Sequence, residues 1–283
     1  MPLRESAFGH QLEPITTTFD ARWAMAFAAG IPDDRAELYA TDGALVVHPL
    51  FPVAPEWELL VSNRSLPDGM TVAEAKRGIH VGHDLTLLRP VPVGESVTIH
   101  ASITVVGRRR AGATQETTFL AVDAAGEVVW ETRFSSLYLG VDFEGSSAGE
   151  RSAVSARVDS VGAASAIASR TSQVRMVDAH IYSECARIWN PIHTDVVAAR
   201  AAGLAAPILH GTATLARAVS AVVDMAGLAL ADVRRIACRF GAMVPLGSSI
   251  EIRLLVVDGS TLGFEVLQQD GRRAISDGVI GFR

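Results

Sequence analysis

Cysteine is scarce in this chain: two in 283 residues, Cys185 and Cys238. Two are too few for a disulfide framework, so the fold must rest on a packed core. Both read as small buried side chains, and a reactive role is open to Cys185 alone, because of the motif beside it. Long apolar runs are missing too. None approaches the length of a membrane span, and residues 1–13 lack the apolar centre of a signal sequence. The expectation is a cytoplasmic protein without membrane association. Basic charge is not in excess: 25 Lys and Arg stand against 31 Asp and Glu, a net −6, with no basic stripe of the kind nucleic acid requires. No Gly-rich phosphate loop appears. No cluster of His, Cys and acid has metal-ligand spacing, so neither a metal nor a cofactor is expected. What the chain does have is apolar bulk. With 49% apolar and 20% charged residues, it can fill the core of one large domain or two ordinary ones.

Two segments match at a spacing of 153 residues. Pro92-Val93-Gly94-Glu95-Ser96-Val97-Thr98-Ile99 reads like Pro245-Leu246-Gly247-Ser248-Ser249-Ile250-Glu251-Ile252. Each is a Pro-x-Gly turn opening an alternating strand. A strand, a polar turn and another strand follow each time: 114–122 and 127–138 in the first half, 261–268 and 272–282 in the second. Period-two alternation predicts half-buried antiparallel strands joined as hairpins, and the repeated order points to duplication. Between the halves, residues 143–165 are rich in Gly, Ser, Ala and charge and read as a linker or surface crossover. The expected organisation is therefore a unit over 1–142, a linker over 143–165 and a unit over 166–283. In the second half the reading is a strand near 171–177, a short helix and loop, a helix over 194–202 and a longer helix over 212–226. That last helix is apolar nearly all round, hence buried. The first half has weaker helix candidates at 23–29 and 56–63, so its helical core is expected to be degraded.

The densest chemistry lies at Asn190-Pro191-Ile192-His193. Pro191 fixes its own φ and moves Asn190 out of the helical region. His193 is thus held just past a defined turn, where it can act as a general base near neutral pH; the plainer alternative is a helix-entry turn with an incidental His. Seventeen residues on, His210-Gly211-Thr212 opens the buried helix. A helix N-terminus offers unpaired N–H groups and partial positive charge, and Gly211 allows close approach. A carbonyl docked there would have a developing negative charge stabilised. The plainer alternative is that Gly211 relieves a close backbone crossing and His210 is a satisfied core residue.

These residues, with Ala202-Gly203 and Pro207-Ile208-Leu209-His210-Gly211, resemble the MaoC-like (R)-specific enoyl-thioester hydratases and dehydratases. In the first half Gly78-Ile79-His80-Val81-Gly82-His83-Asp84 and the Leu88-to-Glu95 stretch resemble the N-terminal unit of the doubled members. The resemblance implies an α+β double hot-dog fold, in which each curved antiparallel sheet wraps a central helix. It further implies reversible hydration of a 2-enoyl thioester of coenzyme A or an acyl carrier, with an acyl carrier protein as candidate partner and a homodimer as the expected assembly. His193 matches the family's catalytic His, and Asn190 the residue that positions it. Gly211, Thr212 and His210 fall at the oxyanion and substrate end. The family's catalytic Asp is replaced by Ile188, and the Gly before it by Arg187; Tyr182 matches the family's Tyr only loosely. Three accounts follow: Glu184, one helical turn earlier, supplies the carboxylate; His193 works alone; or the chain binds acyl thioesters without hydrating them. A further thioester reaction on the same fold, hydrolysis or isomerisation, is the enzymatic alternative.

Arg187 and Ile188 count as candidate substrate contacts, Arg187 as a partner for an anionic acyl tail or as a surface residue. His80 and His83, three apart on a strand, should point to opposite faces. Gly145-Ser146-Ser147-Ala148-Gly149 fits the Gly-x-Ser-x-Gly pattern of hydrolases. It lies in a polar connector, so it reads as a chance match.

Overall fold

The computed structural model describes residues 1–43, 45–62, 70–150 and 166–283. Two strand sets share one connection pattern. The first contains β2 (Gln11–Thr18), β3 (Gly78–Leu87), β4 (Ser96–Arg109), β5 (Gly112–Asp123) and β6 (Val128–Leu139); the second contains β8 (Ala168–Val174), β9 (Val233–Phe240), β10 (Ser248–Asp258), β11 (Thr261–Gln268) and β12 (Arg273–Phe282). Their order in space is β2-β4-β5-β6-β3 followed by β9-β12-β11-β10-β8, the second set mirroring the first about the β3–β9 seam. All the pairings are antiparallel. The repeat seen in the sequence is therefore a repeat of strand order, closed into one ten-stranded sheet. A bidentate ion pair crosses the seam: Arg235 Nε and Nη2 each lie 2.9 Å from an oxygen of Asp84.

The strands alternate as their burial demands. On β10, Ile250, Ile252 and Leu254 point inward, and on β4, Val97, Ile99 and Ala101 do so, because successive strand side chains take opposite faces. On the inner face lie α1 (Ala21–Gly30), α2 (Val53–Ser62), α4 (Asp178–Ala186) and α6 (Gly211–Met225). Two short helices, α3 (Val72–Ala75) and α5 (Val196–Ala201), sit in connections. The main hydrophobic core runs through both units, from Phe19, Phe27, Phe51 and Trp130 to Tyr182, Leu215, Val222 and Phe264. This is the double hot dog that the motifs implied. The first unit's central helix is reduced rather than lost: α2 has 10 residues where α6 has 15. The candidate over 56–63 starts three residues late, and Asn63 lies outside the described residues.

One expectation needs correction. Residues 143–165 are not linker from their start. Phe143–Glu144 forms a strand, β7, parallel to Leu3–Arg4, β1, and Phe143 is buried in a second apolar cluster with Leu3, Ile103 and Tyr138. Aromatic burial outweighed the polar composition around it. Ala148 then bridges back to Val106, so the Gly-x-Ser-x-Gly match lies against a sheet and opens no helix. The remainder of the linker, 151–165, lies outside the described residues. The nearly all-apolar α6 is buried, as expected, and it also holds one buried charge. Arg217 is buried and its Nη2 lies 2.9 Å from Asp178 of α4, while Nη1 donates to the Gln173 carbonyl. A buried guanidinium without such partners would be strongly destabilising, so this pair fixes how α6 lies against β8 and α4.

Candidate functional site

The short helix α4 ends at Arg187, whose φ of 58° is left-handed. That conformation favours glycine at a helix C-cap, which is the residue type the resembling family keeps there. Arg187 offsets the strain with a contact: its guanidinium stacks 4.1 Å over the Trp23 ring of α1. The cation expected to meet an acyl tail is thus engaged with the first unit. Beside it, Ile188 turns inward and is buried in the common core.

Asn190 Oδ1 then caps the one-turn 3-10 helix Pro191–His193, with Ile192 N 3.5 Å away. Asp195 caps α5 through Val197 N and Ala198 N. These caps fix the backbone on both sides of His193, which is buried. The His193 Nδ1–H donates to the Ile208 carbonyl at 2.9 Å. That bond selects the tautomer with a bare lone pair on Nε2. Burial pushes the His193 pKa down to about 4, the Ile208 carbonyl opposing it, so the ring is neutral at neutral pH and able to accept a proton.

His210 stacks on His193, with ring centroids 3.6 Å apart and planes inclined by 24°. Its Nε2 lies 3.2 Å from Ser183 Oγ and 3.3 Å from the Ile188 carbonyl, while Nδ1 is buried without a partner. Burial, and then the neighbouring His193, hold its pKa well below the ordinary value. His210 is thus a half-satisfied side chain whose ring lies flat against the candidate base. The position the family gives to a carboxylate contributes only a backbone carbonyl here. Ser183 was not foreseen, since a lone Ser in a helix carries no signal until the fold brings it beneath His210.

The first in-helix bond of α6 runs from Thr214 N to the His210 carbonyl, 3.0 Å. The N–H groups of Gly211, Thr212 and Ala213 precede it and face the helix mouth, as first-turn donors must. The Thr212 hydroxyl accepts from Tyr182 at 3.0 Å, which places Tyr182 in the wall of the site. Gly211 has a second reason to be glycine: a Cβ there would lie 3.2 Å from the Phe240 ring.

Glu184 is not brought to His193. It is exposed and lines an open surface depression with Ser183, Trp189, Asn190, Pro191 and Thr194, while the ring nitrogen Nδ1 of His193 is taken by the Ile208 carbonyl. One helical turn separates Glu184 from Ile188 in sequence, but the left-handed residue Arg187 ends α4 between them, so the two do not share a face. Cys185 is no nucleophile candidate either. It packs where α1 meets α4, 2.8 Å from where a Cβ on Gly30 would stand, and burial pushes its thiol up.

His80 and His83 do not diverge. A bulge between His80 and Gly82 adds one residue to β3, and such an insertion resets the alternation. Both rings therefore share the inner face, with centroids 5.5 Å apart. His80 lies flat on Phe134 at 3.7 Å and 4.6 Å from Phe240. Among the described residues no group of three or more His, Cys, Asp or Glu is placed to hold a metal ion, and no helix is long and apolar enough to cross a membrane.

The seam, the wrapped helices and the site define the class of the molecule: a double hot dog whose polar site sits in its second unit. Comparison with known proteins gives that unit its family. Residues 164–277 match the model of the MaoC like domain, and the second unit is a MaoC-like domain. Among solved structures, a MaoC-like dehydratase from Phytophthora capsici superposes with a TM-score of 0.87 at 20% identity, over 97% of this chain and 95% of that one. A Mycobacterium tuberculosis protein described as having a double hotdog fold gives 0.60 at 14% identity, over 97% and 95%. The peroxisomal multifunctional enzyme type 2 of Drosophila melanogaster gives 0.77 at 21% identity, over 96% of this chain and 48% of that much longer one. At these identities the likeness is one of fold. No curated protein matches the chain in sequence.

Proposed function

We propose that the protein hydrates a 2-enoyl thioester of coenzyme A or an acyl carrier reversibly, with His193 as the single general acid and base. The observation that carries this reading is the Nδ1–H bond from His193 to Ile208, which leaves Nε2 a bare base on a ring stacked against His210, the residue that opens α6. In the forward direction Nε2 takes a proton from water and the hydroxide oxygen bonds to C3. The C2=C3 electron pair moves towards the thioester carbonyl, and its oxygen takes up negative charge. The N–H groups of Gly211 and Thr212 stabilise that charge. The imidazolium then returns its proton to C2, so that water has been added with no other reactant. Asn190 holds the turn that aims the ring. His210 supports it by stacking.

A second reading is favoured by one observation. Ile188 and the exposed Glu184 leave His193 without a carboxylate partner, and a subunit that binds acyl thioesters without chemistry needs none. Loss of the ultraviolet absorbance of crotonyl-CoA, and of longer and carboxylated enoyl-CoAs, decides between the two. Turnover by the wild type that His193→Ala abolishes is the expected outcome. A wild type inert towards all of them, yet binding them, establishes the second reading. Release of free thiol in place of hydration would mark a thioesterase. If a carboxylate is what the site lacks, Ile188→Asp should accelerate hydration.

A further inference from the structure

His83 is the least satisfied polar side chain on the inner face. It is 2% exposed, and neither ring nitrogen has a partner. Its flanks are settled by strand register: Phe134 of β6 and Cys238 of β9 stand directly opposite it on either side. His80 covers its open end, edge to face. The His80 Nε2–H donates to the Gly82 carbonyl at 2.9 Å, so His80 Nδ1 keeps a bare lone pair. Burial holds the His83 ring neutral, its pKa pushed down to about 4. A neutral imidazole has one N–H and one lone pair. The pair of rings therefore presents one unused donor and two unused acceptors.

The location of this deficit is informative. Phe240, near His80, is the ring that approaches Gly211 at the mouth of α6. Phe240 and His80 are only partly buried. One aromatic side chain thus separates the oxyanion end of the second unit from the histidine pair of the first. An orphaned donor and acceptor in a buried wall lower stability unless something fills them.

We propose that His83 and His80 form a polar subsite for a hydroxyl group on the acyl part of the ligand, reached when Phe240 moves aside. The proposal rests on the acyl-thioester reading above and adds a substrate class to it. A hydroxyl is the complementary group. Its O–H donates to a bare imidazole nitrogen, and its oxygen accepts the His83 N–H. A plain alkyl chain leaves all three ring positions unfilled. A carboxylate brings no hydrogen and would face lone pairs on neutral rings.

Calorimetric titration of the full chain tests this with saturated ω-hydroxyacyl-CoAs of about four to eight carbons and their unsubstituted counterparts; none of them can be hydrated or can lose a 3-hydroxyl. At one chain length the hydroxylated thioester should bind roughly tenfold tighter, the size of one well-made hydrogen bond. His83→Leu should erase that difference and raise the thermal midpoint, because the orphaned nitrogens are gone. His83→Gln, which keeps a donor and an acceptor, should retain part of the preference and covers the case in which the Leu variant fails to fold. Equal binding of the two series at every length overturns the subsite while leaving the thioester reading intact. A preference that survives His83→Leu overturns it as well, and so does a folded Leu variant less stable than wild type. If neither series binds, the thioester reading falls, and the subsite's ligand class falls with it.

Discussion

The two units keep the same five strands in the same order and differ in the loop ahead of the central helix. The first unit fills that loop with closed hydrogen bonding. His48 is fully buried; its Nδ1 accepts from Leu50 N at 3.1 Å and its Nε2–H donates to Ser220 Oγ at 3.2 Å. Ser220 in turn donates to Asp33 at 2.6 Å, and Arg35 grips both Asp33 oxygens. The second unit leaves its loop open. His193 uses one nitrogen and His210 keeps one orphan. Both His48 and His193 have pKa values depressed by burial, to about 3 and about 4, so a shifted pKa does not distinguish the structural ring from the chemical one. Hydrogen-bond completeness does. Ser220 of α6, with His48 and Asp33 of the first unit, looks like a nucleophilic triad by composition, yet Ser220 stands between the other two. Its proton already points at Asp33, so His48 is not placed to remove it.

The strongest test of this contrast is His193→Ala. Turnover in the enoyl-CoA assay should drop by about two to four orders of magnitude, the usual weight of a general acid–base, with the fold intact. A well-folded variant of near-normal activity would remove His193 from the chemistry.

His48→Ala should do the reverse. It leaves the Leu50 amide without its acceptor, takes one donor from Ser220 Oγ and opens a cavity, so roughly 2–4 kcal/mol of stability should be lost. Activity per folded molecule should persist. Denaturant unfolding of the two variants side by side shows whether the closed loop is the structural one.

A third expectation concerns pH. Folded His48, His83 and His193 take up protons less readily than their ordinary value of 6.5. Their depressed values mean that the unfolded chain binds more protons, so stability is full above pH 6.5 and declines as pH falls towards 4 and 3. Glu56 of α2 runs the other way. Buried against Trp130 Nε1 and the Thr132 hydroxyl, its carboxyl is pushed up to about 8 from an ordinary 4.5. Its contribution is full below pH 4.5 and declines as pH rises to 8. Glu56→Gln keeps both bonds and removes the titration, so the variant should gain on wild type as pH goes from 4.5 to 8. Thermal midpoints across that range would show a constant offset if Glu56 were ionised throughout.

The smallest effect is at Arg187. Arg187→Met loses the stack on Trp23 and keeps the left-handed strain, whereas Arg187→Gly loses the stack and relieves the strain. The Gly variant should be the more stable of the two by about 1 kcal/mol. Equal midpoints would mean that the left-handed C-cap costs nothing here.

Sequence alone determined the duplicated strand order, because period-two alternation and Pro-x-Gly turns are local signals that recur at fixed spacing. It also marked His193 and the mouth of α6, since a proline and a helix-opening glycine act on their own neighbourhood. The tertiary structure decided what depends on distant partners. The inward side of His83 was set by a bulge whose pairing lies on β6, and the exposure of Glu184 by a left-handed residue that ends α4. Only packing showed that Arg217 in an apolar helix has Asp178 to meet. The closure of His48 and the openness of His193 likewise came from atoms far away in the chain, Ser220 in one case and none in the other. Hydrogen-bond satisfaction is a property of the assembled interior, and local sequence does not encode it.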